Sequence, residues 1–188
     1  YGQALVELGE DREDMVVLDA DLSADCGLRP FENTYPQRFI EGGIAEQDMV
    51  STAGGLALQG RLPVVNSFGV FLASRANEQI YNNATEKTKI IYVCHYAGLI
   101  PAGPGKSHQS VRDISLFGAL PNVIAIEPAN AIETKEALKW CVNEASQNCM
   151  MRLAISPSPR AIPLPDDYQF VFGKGTVVFD GQDAVLFA

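Results

Sequence analysis

Short runs of apolar, β-branched residues alternate along the chain with longer stretches whose apolar positions recur at helical spacing. The first run is Met15-Val-Val-Leu-Asp19. It is followed by Leu62-Pro-Val-Val-Asn66, Lys89-Ile-Ile-Tyr-Val-Cys94, Asn122-Val-Ile-Ala-Ile126 and Met150-Met-Arg-Leu-Ala-Ile155. The run at 89–94 is continuous and apolar, as a strand covered on both faces is. Residues 45–59 carry Met49, Val50, Ala53, Leu56 and Ala57 on a helical period, and residues 131–146 carry Leu138, Cys141, Val142 and Ala145 on one face. Asn130 with Glu133 three residues on resembles a capping box at the start of the second helix. Strand–helix alternation predicts an α/β fold, a doubly wound and mostly parallel sheet with helices on both faces.

Two stretches break the alternation. Residues 97–109 form a loop rich in glycine and proline, and residues 156–167 contain Pro157, Pro159, Pro163 and Pro165. The second reads as a linker leaving a domain. We therefore expect one domain over 1–155, a linker over 156–172, and over 173–188 the truncated start of a following domain. The strand-like pattern Asp183-Ala-Val-Leu-Phe-Ala188 stops in mid-strand, which suggests a fragment of a longer chain.

Composition narrows the function classes. The 188 residues are 47% hydrophobic and 20% charged, an ordinary globular balance. A domain of this size buries roughly 70% of its unfolded surface, so it needs neither metal nor disulfide to fold. The net charge of −9 and the lack of a basic stripe argue against a nucleic-acid partner. No apolar run approaches the roughly 20 residues of a membrane span. Cys26, Cys94, Cys141 and Cys149 are widely spaced with no Cys-x-x-Cys pair, so reduced thiols and a cytoplasmic location are expected. No Gly-x-Gly-x-x-Gly follows the run at 15–19, which disfavours a nucleotide-binding Rossmann domain.

The densest chemical signal lies between Arg38 and Ala57. Gly42-Gly43 precedes Ile44-Ala45, Glu46 opens the predicted helix, and Gly54-Gly55 lies inside it. A glycine within a helix costs about 1 kcal/mol relative to alanine. The pair therefore implies close backbone approach, to a neighbouring helix or to a partner subunit. By spacing alone Glu46 is a first-turn acid favoured by the helix dipole.

Gly43-Ile-Ala-Glu-Gln47 followed by a small-residue helix resembles the cofactor-activating segment of the transketolase family. The likeness continues in order through Pro63-Val-Val, Ser67-Phe-Gly-Val-Phe-Leu72, Arg75-Ala-Asn-Glu-Gln-Ile80 and Ala97-Gly98. It goes on through Gly103-Pro-Gly-Lys-Ser-His-Gln109, Asp113-Ile-Ser-Leu, Leu120-Pro-Asn-Val and Glu127-Pro-Ala-Asn130. Over residues 1–160 the chain is similar to the pyrimidine-binding domain of transketolases and 1-deoxyxylulose-5-phosphate synthases. More distantly it resembles the beta chains of two-oxoacid dehydrogenases.

The resemblance implies a role for each matching residue. Glu46 would hydrogen-bond a ring nitrogen of thiamine diphosphate. It would thereby favour the tautomer in which the cofactor's own amino group takes the thiazolium proton. Burial makes a carboxyl easier to protonate, which suits that task. The ring needs an apolar, aromatic wall, for which Phe68 and Phe71 are candidates, with Phe71 preferred and Ile44 beside them. Leu72 is the alternative alignment, and both phenylalanines could equally be core residues. His108 would contact the sugar substrate and move protons at its oxygens, because imidazole titrates near neutrality. His95, after a buried strand, is the weaker histidine. Arg152 and Arg160 are candidate phosphate clamps. No metal ligands are expected in this chain. The family's Gly-Asp-Gly segment with a downstream Asn, which holds magnesium and the diphosphate, is not found in it.

The resemblance thus implies ketol transfer between sugar phosphates by a homodimer, with the diphosphate-binding domain on the same or another chain. The synthase and dehydrogenase chemistries remain as alternatives, as does a non-catalytic assembly module. Pro101, Pro104 and Lys106 depart from the family's loop, where an acidic residue is common. They leave the sugar specificity open.

Overall fold

The computed structural model describes residues 1–99, 104–154 and 163–186. Among these residues six parallel strands form one sheet: β1 (Met15–Asp19), β2 (Phe39–Glu41), β3 (Leu62–Phe68), β4 (Ile91–His95), β5 (Val123–Ile126) and β6 (Asn148–Leu153), in the order β2-β1-β3-β4-β6-β5. Every residue of β1, β3, β4 and β6 is buried. This is why those four read as apolar runs rather than alternating ones. Pro63 is tolerated in a central strand because it sits at the strand's start, and pairing with β4 begins one residue later, at Val64.

Among the described residues seven α-helices cover the sheet: α1 (Gly2–Asp11), α2 (Arg29–Thr34), α3 (Glu46–Leu58), α4 (Gly69–Arg75), α5 (Asn77–Thr85), α6 (Asp113–Gly118) and α7 (Ala131–Asn143). Alternate strand residues feed two cores. Val17, Val64, Ile91 and Val93 pack with Leu5 of α1, Phe31 of α2 and Leu138, Cys141 and Val142 of α7. Val16, Leu18, Val65 and Tyr92 pack with Met49, Val50 and Ala53 of α3, Leu72 of α4, Ile80 of α5 and Phe117 of α6. The expected α/β sandwich is therefore present, all parallel among the described residues.

The two helices named from sequence end close to their expected limits. The α7 cap forms as anticipated: the Asn130 side chain accepts from the Glu133 N–H. The carboxylate of Glu133 reaches back to the N–H of Ala129 at 2.7 Å. Gly54 explains itself by α5, since a Cβ there would lie 2.2 Å from Asn83 Oδ1. Gly55 faces open space. The strand-like tail behaves otherwise. Residues 163–186 hold turns but no strand or helix, and much of their apolar surface, including Val177, Phe179 and Val185, is exposed. A strand pattern without a neighbouring edge to pair with has no ladder to join. The tail's first part does dock on α7: Phe172 stacks on Trp140 with centroids 4.7 Å apart, and the Tyr168 hydroxyl donates to Glu133.

Candidate functional site

In a parallel sheet every strand delivers the following segment to the same edge. Helix α3 follows β2, α4 follows β3, and the segment beginning at Tyr96 follows β4. The order reverses between β1 and β3, and open α/β sheets bind ligands at the carboxyl ends of their strands near such a reversal.

Gly43 at φ 69° makes the turn that a side chain would strain, and its N–H donates to Glu41 Oε1. The chain then enters α3 at Ala45, which has no side-chain cap. Glu46 is the first helical residue, and such a position is ordinarily solvated, yet it is only 3% exposed. Its Oε1 accepts from Arg75 Nη1 at 2.6 Å. Arg75 ends α4, and its guanidinium carbon sits 3.9 Å from the centre of the Phe71 ring, one helical turn earlier. Phe71 stacks on Phe68 at 5.5 Å and 30°, and Phe68 stacks on Tyr96 at 4.1 Å and 10°. Tyr96, Phe68, Phe71 and Arg75 thus form a succession of planar groups that ends on the carboxylate of Glu46. An open depression of about 750 Å³ adjoins that end, lined by Ile44, Glu46, Gln47, Ser51, Ser74 and Arg75.

His108 joins the same group. It follows the short helical turn Gly105–Ser107, is half-buried, and meets Phe71 and Phe68 edge-on at 5.2 and 5.7 Å. The Ser107 hydroxyl lies 2.9 Å from its Nδ1. Phe68 is buried between its neighbours, so its role in the chain is that of a backing ring, whereas Phe71 is only partly covered. Ile44, 73% exposed, stands on the lip of the depression.

Other expected residues are not brought here. Arg152 lies inside β6, its Nε donating to Asp113 Oδ2 at 2.9 Å and its Nη1 to Glu127. A guanidinium committed to two carboxylates has little left to offer a phosphate. Arg160 lies outside the described residues. His95 is buried, with Nε2 3.3 Å from Asn66 Oδ1 and its ring edge-on to Tyr1. Burial and the amino-terminal charge push its pKa down to about 3, so it stays neutral. Among the described residues no group of three or more His, Cys, Asp or Glu side chains could hold a metal ion. None of their helices is long and apolar enough to cross a membrane.

Two members of the site escaped the sequence reading. Arg75 stood in a quoted motif without a role, although its place four residues after Phe71 puts both on one helical face. Tyr96 carries a left-handed φ of 56°, uncommon for an aromatic residue, and such strain is held in place only by firm surroundings. The donor set fits an amino-substituted heteroaromatic ring: a buried carboxylate for its edge and an aromatic face for its plane.

The model of the transketolase pyrimidine-binding domain matches residues 1–155. The chain belongs to the transketolase family. A putative transketolase C-terminal section from Methanocaldococcus jannaschii is 34% identical over all of this chain, which covers 60% of that relative. Transketolase-like protein 2 of Mus musculus is 34% identical over 95% of the chain, covering 28% of that protein. A 1-deoxy-D-xylulose-5-phosphate synthase from Clostridium kluyveri is 28% identical, with 30% of its length covered. Among solved structures, a split-gene transketolase described as an inactive β4 tetramer superposes with a TM-score of 0.83 at 36% identity. The match covers 96% of this chain and 58% of that one. The chain therefore spans between about a quarter and three-fifths of these proteins. Membership of this family implies thiamine diphosphate dependence.

Proposed function

We propose that this transketolase-family chain supplies the pyrimidine-binding half of a thiamine-diphosphate site for ketol transfer between sugar phosphates. The observation that carries the reading is Glu46, a carboxylate buried at a helix start and linked through Arg75 to the partly covered ring of Phe71. When bound, thiamine diphosphate supplies the carbon nucleophile that the protein itself lacks. Glu46 holds and returns a proton at a ring nitrogen. Phe71, backed by Phe68, packs on the ring plane, and Ile44 adds apolar contact at the lip. His108, beside the same rings, exchanges protons with substrate oxygens and is the second catalytic group.

The diphosphate and its magnesium fall to a separate domain, on this chain's longer parent or on another subunit. The assembled enzyme is a homodimer, two-fold closure being the commonest oligomer symmetry. Residues 156–172 link to a further domain that begins near 173. Four free cysteines fit a cytoplasmic enzyme. Transketolase chemistry is favoured over the synthase reaction because the transketolase-type relatives named above stand at 34–36% identity against 28–32% for the synthases.

Calorimetry with thiamine diphosphate and magnesium tests the division of the site. The chain alone should bind weakly or not at all, and tightly once its diphosphate-binding partner is added. Sub-micromolar binding by the chain alone would contradict the reading.

A further inference from the structure

Arg75 is the least settled charged group at the site. Its side chain is 46% exposed, yet it is drawn across an aromatic face onto a carboxylate that is 3% exposed. A guanidinium is flat and delocalised, presents N–H donors in its own plane and stacks on aromatic rings. Those are also the features of an aminopyrimidine: a flat face to stack, and in-plane nitrogen to pair with a carboxyl group. Glu46 and Phe71 hold Arg75 by both features at once. One Glu46 oxygen is 2.6 Å from its Nη1, and the Phe71 ring is 3.9 Å below its central carbon.

We infer that Arg75 is a self-ligand of this chain, occupying between Glu46 and Phe71 the seat that an aminopyrimidine ring takes, so that ring binding requires Arg75 to swing out. The inference rests on the reading of Glu46 and Phe71 as the ring's contacts. It adds that the chain on its own keeps this seat filled. Filling the seat neutralises a buried carboxylate and covers an aromatic face while no ring is there. Arg75 sits at the last residue of α4, next to the open depression, so its long side chain leaves without disturbing the core. A ligand that must displace an occupied arrangement binds in proportion to the fraction of molecules in which the seat is free. With nine chains in ten closed, affinity falls about tenfold.

The probe is 4-amino-5-hydroxymethyl-2-methylpyrimidine, which presents the ring without thiazolium or diphosphate. Its affinity is read by NMR titration of the 188-residue chain, with thermal melts confirming folding. Arg75→Ala should bind the probe about tenfold more tightly than wild type. Arg75→Lys, which keeps the charge but not the plane, should fall between. Adding Glu46→Gln to Arg75→Ala should remove the gain, and millimolar methylguanidinium should compete with the probe in Arg75→Ala alone. If Arg75→Ala does not fold, Arg75→Gln takes its place with the same expectation. Equal or weaker binding by the Arg75 variants overturns the self-ligand. If Glu46→Gln still weakens the probe in that case, the ring site itself survives. If no variant binds the probe, removing Arg75 has opened no seat and the inference falls. Proton exchange in the assembled enzyme then decides the role of Glu46 separately.

Discussion

Among the described residues two arginines meet buried carboxylates, and they do opposite things. Arg152 is 8% exposed and reaches Asp113, which is 1% exposed, from β6, with Glu127 on its other arm. Arg75 reaches an equally buried carboxylate, that of Glu46, from a half-exposed position at a helix end. The first arginine, Arg152, joins β6 to α6 through Asp113 and to the end of β5, where Glu127 follows, so its geometry is fixed by three elements. The second joins only the start of α3 to the end of α4, beside open space. A buried ion pair held on all sides is architecture. The same chemistry with one mobile partner beside a depression is a site held ready for exchange.

Truncating each arginine separates the two cases. Arg152→Ala strands Asp113 in the interior and should cost about 3–5 kcal/mol of stability. Arg75→Ala opens Glu46 to water through the adjoining depression, so it should cost about 1 kcal/mol or less. Urea unfolding of both variants measures the difference. Equal losses would mean that Arg75 is as structural as Arg152.

Asp19 sharpens the contrast, because it is a buried carboxyl with no cation at all. It ends β1, is fully buried, and sits opposite Glu41 in the β1–β2 register. Its Oδ2 accepts from the Leu22 N–H at 2.8 Å, and its Oδ1 has no partner. Burial pushes its pKa up to about 7; the Leu22 N–H works against that rise and Glu41 adds to it. A raised carboxyl pKa stabilises the fold fully below about 4, and that contribution is lost as pH climbs to about 7, roughly 2–4 kcal/mol in all. His95 runs the other way. Its pKa is depressed to about 3 from 6.5, so its contribution is present above 6.5 and lost as pH falls. The two slopes oppose each other between about pH 4 and 6.5, and wild-type stability should be nearly flat there. Asp19→Asn, which keeps an acceptor for Leu22, should leave the His95 slope exposed, with stability rising with pH across that window. Urea midpoints measured from pH 4 to 8 check this. An unchanged profile would show that Asp19 is ionised in the fold.

The sheet was legible where strands are covered on both faces, because burial on two sides writes itself as an unbroken apolar run. Residues 89–94 and 15–19 are of that kind. β2 was missed since three residues, half-buried Phe39 and Ile40 and exposed Glu41, carry no pattern. α4 and α5 were missed because they are short and meet at Ala76, breaking the helical period. At the site, Glu46 and Phe71 came from a resemblance whose motifs are local in sequence. The link between them did not, because Arg75 reaches Glu46 across 29 residues and only the fold brings them together. Arg152 looked like a phosphate clamp for the complementary reason. A strand arginine whose partners are Asp113 and Glu127 is indistinguishable, in sequence, from one left free.

The central claim is that Glu46 acts on the cofactor rather than merely facing a helix dipole. The direct measurement is hydrogen–deuterium exchange at the thiazolium C2 of thiamine diphosphate, in the enzyme assembled with its diphosphate-binding domain, comparing wild type with Glu46→Gln. The substitution keeps the shape and a hydrogen-bonding group but removes the ionisable proton. Exchange should slow by about two orders of magnitude or more while the cofactor remains bound. An unchanged exchange rate in a folded, cofactor-loaded Glu46→Gln enzyme would contradict the account and return Glu46 to the role of a helix-terminus acid.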